Sequence, residues 1–255
     1  MSFDLLGIRL HAMTKHDLVE VAARAVDERE KRIIGHHNLH SFYLSHHNPK
    51  MLEFYSSADY VHIDGMSLVA LGRLFGLPFK SEHRTTYVDL LPLLAEAAAE
   101  REWRVFYLGS RPGVAEKAAQ TLRTRFPRLQ IATRDGYFNT ESSGRENQAV
   151  LAEIRAYAPD VLMVGMGMPR QEIWLAENRE DIGAYAVFSC GAMMDFVAGE
   201  IPTPPRWLGP LGLEGVFRLF CEPGRLWRRY SVEPLAILIR AIRGLLQEAV
   251  IRAMH

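Results

Sequence analysis

The chain has 255 residues, 48% hydrophobic and 24% charged, which suits one sizeable α/β core and leaves too little for two independent domains or a disordered protein. Thirty Lys and Arg balance thirty Asp and Glu, so no whole-chain field favours nucleic acid; the segment from Ile201 onward, with eight Arg against Glu214, Glu222, Glu233 and Glu248, is nevertheless +4. Two cysteines, Cys190 and Cys221, are too few for a disulfide scaffold and lack metal-ligand spacing, which points to a reducing, cytoplasmic location.

The opening MSFDLLGIRLHAMTKHD has no basic flank leading into an apolar run, and no window reaches the ~18 uninterrupted apolar residues of a spanning helix. The chain therefore reads as neither exported nor integral to a membrane. Histidines follow in two groups, His36, His37 and His40, then His46 and His47. Their spacing invites a metal reading, but no acidic or cysteine partner completes a site, so they are expected to be polar loop residues and no metal is assigned.

The run Tyr60-Val61-His62-Ile63 is apolar and β-rich and ends in Asp64-Gly65, which sets a carboxylate at the rim of a sheet. Asp64 could there take a proton from a substrate hydroxyl, or it could form an Asx turn or cap a helix from Ser67 onward. Residues 90–102 carry helical spacing, and 104–108 form a second apolar strand.

Gly109-Ser110-Arg111-Pro112-Gly113 then opens a helix over 113–126. Free amides and the helix dipole suit such a turn to a phosphate, while a plain strand-to-helix connection fits equally well. Strands at 160–164 and 186–189 bracket Gly165-Met166-Gly167-Met168-Pro169-Arg170-Gln171-Glu172, where Arg170 and Gln171 could reach a substrate.

Near-continuous apolarity marks strands buried on both faces, and their alternation with helices predicts a Rossmann-like, mostly parallel sheet flanked by helices. Ligands of such sheets bind beyond the carboxyl ends of the strands. After Gly199 the character changes. Residues 201–207 are proline-rich and extended, 217–230 are rich in Arg and aromatics, and from Pro234 the chain reads as an amphipathic helix. Leu235, Leu238, Ile239, Ile242, Leu245 and Leu246 share one face, which would dock on the core, on a second copy, or on a membrane surface. The division expected is a core over 1–200 and a basic, helical C-terminal appendage over 201–255.

Taken together, these blocks resemble the WecG/TagA/CpsF glycosyltransferase family. The resemblance rests on Ala58-Asp59-Tyr60 through Asp64-Gly65-Met66-Ser67, on Leu108-Gly109-Ser110-Arg111-Pro112-Gly113 with Asp135-Gly136-Tyr137-Phe138 after it, and on Pro159-Asp160 through Gln171-Glu172 with Trp174. Asp195-Phe196-Val197-Ala198-Gly199, Pro204-Pro205-Arg206-Trp207 and Leu211-Gly212-Leu213-Glu214 complete it. It runs from about Leu6 to about Tyr230.

The resemblance implies an inverting transfer from a UDP sugar to an undecaprenyl-diphosphate-linked sugar at the inner face of the membrane, with no other cofactor. N-acetylmannosamine onto N-acetylglucosamine is the commonest pairing, as in teichoic acid linkage-unit synthesis; glucose or uronic-acid transfer in exopolysaccharide synthesis is the alternative. It makes Asp64 the general base, places Asn38 and Gln171 at the substrate, and assigns Arg218, Arg225 and Arg228 to an appendage that closes over the site and holds diphosphates. Gly109, Ser110, Arg111, Gly113 and Gly167 are the loop residues expected to bind substrate.

The chain departs from the family pattern at His62-Ile63 before Asp64, at Arg84-Thr85-Thr86-Tyr87-Val88-Asp89 and at Ser189-Cys190-Gly191-Ala192-Met193-Met194. A nicotinamide-dependent oxidoreductase would need a GxGxxG turn that is missing here. A non-catalytic scaffold binding nucleotide sugar or lipid would tolerate loss of Asp64.

Overall fold

A computed structural model describes residues 1–209 and 212–253. Its centre is a six-stranded sheet built from β3 (Arg32–His37), β4 (Tyr60–Ile63), β5 (Arg104–Gly109), β6 (Gln130–Arg134), β7 (Val161–Gly165) and β8 (Ala186–Ser189). The order is β4-β3-β8-β7-β5-β6, and every pairing is parallel. An antiparallel ribbon, β1 (Ser2–Leu5) with β2 (Ile8–His11), forms a separate small sheet beside β4, where the Val61 amide donates to His11 Nδ1 at 3.0 Å.

The apolar runs are continuous because successive side chains enter two different cores. In β5, Val105 and Tyr107 join one core while Phe106 and Leu108 join the other. The same alternation divides Val161 and Met163 from Leu162 and Val164 in β7, and Ala186 and Phe188 from Val187 in β8. The first core is closed by α1 (Lys15–Glu28), α5 (Tyr87–Glu100), α6 (Val114–Arg125) and α9 (Met193–Val197). The second is closed by α3 (Pro49–Ser57), α4 (Met66–Leu74), α7 (Arg145–Tyr157) and α8 (Arg170–Glu177), joined by Leu5, Ile8 and Leu10 of the ribbon. Each fully buried large side chain contributes roughly 1.5–3 kcal/mol.

The predicted helices at 90–102 and 113–126 lie within two residues of α5 and α6 at either end, apart from the extra turn that starts α5 at Tyr87. Strands β3 and β6 and the ribbon are additions. β3 escaped notice because Gly35-His36-His37 breaks its apolar pattern, and the expectation that these histidines occupy a loop is overturned. His36 and His37 are the last residues of a central strand and are 3% and 0% exposed. Burial of that kind holds the His36 imidazole neutral, its pKa lowered to about 4.

Beyond α9 the chain turns at 198–201, runs without regular structure to Pro205, makes a 3-10 turn over Arg206–Leu208, and then forms α10 (Glu214–Cys221) and α11 (Pro223–Ala253). The final helix begins eleven residues before the expected start, and Pro234 lies inside it. The face that docks is not the apolar stripe. Leu226, Ile237 and Ala241 are buried and Glu233 bonds His40 of α2 (Leu39–Ser45), whereas Leu235, Leu238, Ile239 and Ile242 are 45–58% exposed. At these four positions the stripe does not dock on the protein's own core, while Leu245 is half-buried. The side chains of 246–255 lie outside the described residues. Among the described residues no helix is long and apolar enough to cross a membrane.

Candidate active site

All the loops singled out in the sequence sit at the carboxyl rim of the parallel sheet, where helix N-termini and strand ends leave room for a ligand. Asp64 directly follows β4, and its amide continues the ladder by donating to the carbonyl of His37 at 2.8 Å. It caps nothing. Gly65 occupies the N-cap of α4 with no side-chain hydrogen bond, so the capping alternative is set aside.

The Asp64 side chain is 21% accessible and sits in a polar nest. Burial raises its pKa from 3.8 to about 7, with Glu214 adding to the rise while Arg84, Asn38 and Arg229 oppose it. Such a carboxyl is poised to exchange a proton near neutrality, which is what a general base requires. Among the described residues no three His, Cys, Asp or Glu side chains converge to hold a metal ion.

Asn38 serves two neighbours. Its Oδ1 caps α2 by accepting from the amides of His40 at 3.0 Å and Ser41 at 3.1 Å, which leaves its amide nitrogen to donate to Asp64. Helix start and carboxylate are thus fixed by one side chain, and Asn38 and Asp64 belong to a single site.

Arg84, which sequence reasoning noted only as a departure, forms the wall opposite. It lies just after Ile63 in space, pairs with Glu214 of α10 at 2.5 Å and with Asp89 at 3.6 Å, and is 11% accessible. Arg84 also lines a cavity of about 360 Å³ with Thr14, Lys15, His16, Glu82 and Asp89.

The arginines of the appendage divide by helical phase. Arg228 is exposed over the ring of Trp227, whereas its neighbour Arg229 is turned inward, where burial lowers its pKa and the charges of Arg218, Glu233 and Asp64 reach it. Arg218 is 20% accessible, packs over Phe196 and lies 4.0 Å from Glu222. The side chain of Arg225 lies outside the described residues. Arg229 could have been preferred over Arg228 had the docking face of α11 been known, but two adjacent arginines give no such signal in sequence.

The remaining predicted residues lie farther along the rim. Gln171 is fully buried: its Oε1 accepts from the amides of Gly167 at 3.2 Å and Gly191 at 3.1 Å, and its Nε2 donates to Glu172 at 2.7 Å. It therefore splices the loops after β7 and β8. Arg170 donates to the carbonyl of Phe138 and stacks on that ring.

The Gly109–Gly113 loop follows β5, four strand positions from β4 and so roughly 19 Å away at ~4.8 Å per step. Its groups are engaged: the Ser110 amide donates to the carbonyl of Gly165 at 3.1 Å, the Ser110 hydroxyl donates to Asp195 at 3.0 Å, and Arg111 pairs with Glu200 at 3.1 Å. Gly113, at φ +80°, is the N-cap of α6. At Gly109, a Cβ would stand 2.3 Å from the carbonyl oxygen of Gly165, so this glycine answers to neighbouring backbone.

Comparison with known proteins identifies the family. A family model described as the glycosyl transferase WecG/TagA/CpsF family matches residues 3–250. A curated relative from Bacillus spizizenii, N-acetylglucosaminyldiphosphoundecaprenol N-acetyl-beta-D-mannosaminyltransferase, is 30% identical over 183 residues, 71% of this chain and 68% of the relative. One of the same name from Staphylococcus aureus is 24% identical over 239 residues, 90% of this chain and 88% of the relative.

Proposed function

The chain belongs to the WecG/TagA/CpsF family of glycosyltransferases, and from that premise we propose that it transfers N-acetylmannosamine from a UDP donor to a polyprenyl-diphosphate-linked N-acetylglucosamine, with Asp64 as the base. The reaction named for the relatives supports the sugar pair. The observation that carries the chemistry is Asp64 itself, a carboxyl at a strand tip with its pKa raised to about 7 and an amide from Asn38 to orient it.

In a single displacement, Asp64 takes the proton of the acceptor hydroxyl as that oxygen attacks the anomeric carbon. The bond from that carbon to the diphosphate oxygen breaks, its electron pair leaves with UDP, and the anomeric configuration inverts. Departing charge needs cations nearby, and the guanidinium groups available are Arg84 and Arg229, which act on the carboxyl, and Arg218, which acts on Arg229. Gly109, Ser110, Arg111, Gly113, Gly167 and Gln171 shape the far end of the rim, where the donor would lie.

Residues 201–255 act in this reading as an appendage that covers the site and carries it to lipid. Support comes from the exposed stripe of Trp227, Leu235, Leu238 and Ile242 beside Arg228, Arg240 and Arg243, an apolar strip with a basic flank suited to an anionic membrane surface on the cytoplasmic side. The same stripe could instead seat a second copy of the chain, which sedimentation at several concentrations would register.

The test is UDP release from a panel of UDP sugars mixed with a short-chain polyprenyl-diphosphate-linked N-acetylglucosamine, together with the intact mass of the lipid product. Acceptor-dependent release with an added N-acetylhexosamine mass is expected from the wild type and none from Asp64→Asn. A product gaining a hexose or uronic acid would replace the donor assignment, and a fully active Asp64→Asn would remove Asp64 from the base role.

A further inference from the structure

Behind Asp64 stands a group that the displacement above does not use. His36, the fifth residue of β3, is 3% exposed and presents Nε2 to Asp64 Oδ2 at 3.9 Å. Its other nitrogen settles its tautomer. Nδ1 lies 2.9 Å from the backbone carbonyl oxygen of Ser189, an atom that can only accept, so the ring proton is on Nδ1 and Nε2 carries a lone pair. The Tyr87 hydroxyl donates to that same carbonyl at 2.5 Å, and the Tyr87 ring packs edge-on against His36 with centroids 5.3 Å apart. The imidazole is thus held on two sides with its lone pair toward the carboxyl.

We propose that His36 is a positioning residue for Asp64: its Nε2 lone pair favours the protonated carboxyl over the carboxylate and so makes Asp64 a stronger base toward the acceptor hydroxyl. The inference rests on Asp64 being the base. A lone pair facing a carboxylate repels it, whereas a carboxylic acid can turn its O–H toward Nε2, closing the 3.9 Å gap by about 1 Å to hydrogen-bond distance. The proton arriving from the acceptor hydroxyl then has an acceptor waiting behind it, and it returns to water from Asp64 once product leaves.

Among the charged and polar neighbours of Asp64, Glu214 alone also favours the protonated carboxyl. Arg84, Arg229 and the Asn38 amide all favour the carboxylate, and Glu214 of α10 acts from the appendage side. Around His36 itself stand Ser189, His37, His62, Tyr87 and Arg229, and burial keeps the imidazole neutral. A protonated His36 would reverse the effect, and Arg229 and desolvation both oppose that protonation.

The decisive variant is His36→Gln, whose amide nitrogen can sit near the place of Nε2 but donates, stabilising the carboxylate. Its acid limb in kcat/KM against pH is expected to move about one unit lower, with UDP binding retained. A residue that merely supports the fold would lower activity at every pH and leave the limb where it was, so an unmoved limb overturns the proposal. In the wild type, ¹⁵N spectra of histidine-labelled protein should show the His36 ring as the Nδ1–H tautomer, and an Nε2–H tautomer would also overturn it. This second measurement needs no variant to fold. If Asp64→Asn keeps full turnover, the base reading fails and takes this inference with it. An inactive Asp64→Asn beside an unshifted His36→Gln limb sinks the inference alone.

Discussion

A buried carboxyl that must ionise to work is a liability for stability, and Asp64→Asn should expose that as a pH-dependent gain. In the folded protein the Asp64 pKa is raised from 3.8 to about 7. Between those values the folded state holds a proton that the unfolded chain has released, so stability falls as pH rises from about 4 to about 7 and stays lowered above it. Three units at 1.4 kcal/mol each give about 4 kcal/mol as an upper bound. Partial access of water to the side chain, 21% accessible, reduces this to about 2 kcal/mol.

Asparagine keeps the size of the side chain and never ionises. The melting temperature of Asp64→Asn relative to wild type should therefore be about 4–8 °C higher at pH 8 than the same comparison gives at pH 4.5. Differential scanning calorimetry at the two pH values measures it, because any pH-independent effect of the substitution cancels in the comparison. A melting difference that does not change with pH would refute the argument that burial burdens the Asp64 carboxylate. Loss of turnover together with this gain would mark a site that trades stability for function.

Three further outcomes are expected. Arg84→Ala breaks the ties to Glu214 and Asp89 and should lower stability by about 2 kcal/mol in urea melts; it also removes a cation that holds the Asp64 pKa down, so the acid limb of activity should move to higher pH, opposite to His36→Gln. Gly165→Ala would place a Cβ 2.2 Å from the Tyr107 hydroxyl and 2.5 Å from the carbonyl oxygen of Gly191, and should cost at least ~2 kcal/mol, seen as a lowered urea midpoint. Replacing exposed Leu235, Leu238 and Ile242 together by Ser should abolish flotation with anionic vesicles while leaving the melting temperature within about 2 °C, since none of the three is buried; retained flotation would count against lipid docking.

Much of the core could be read in the sequence because the physical signal there is local. Strands buried on both faces are apolar at most positions, so β4, β5, β7 and β8 stand out as runs, and helices α5 and α6 announce themselves by spacing. The order of motif blocks was enough to identify the family and to put Asp64 at a rim. Tertiary structure alone decided the rest, because it depends on which residues meet across long separations. It turned His36 and His37 from loop residues into the end of a central strand. It brought Arg84, Glu214 and Arg229 round Asp64, and it tied Gln171 to Gly167 and Gly191. The phase of α11 was likewise invisible beforehand: an amphipathic pattern says that one face is apolar, but burial of Leu226, Ile237 and Ala241 against the protein selected a different face and left the greasier one exposed.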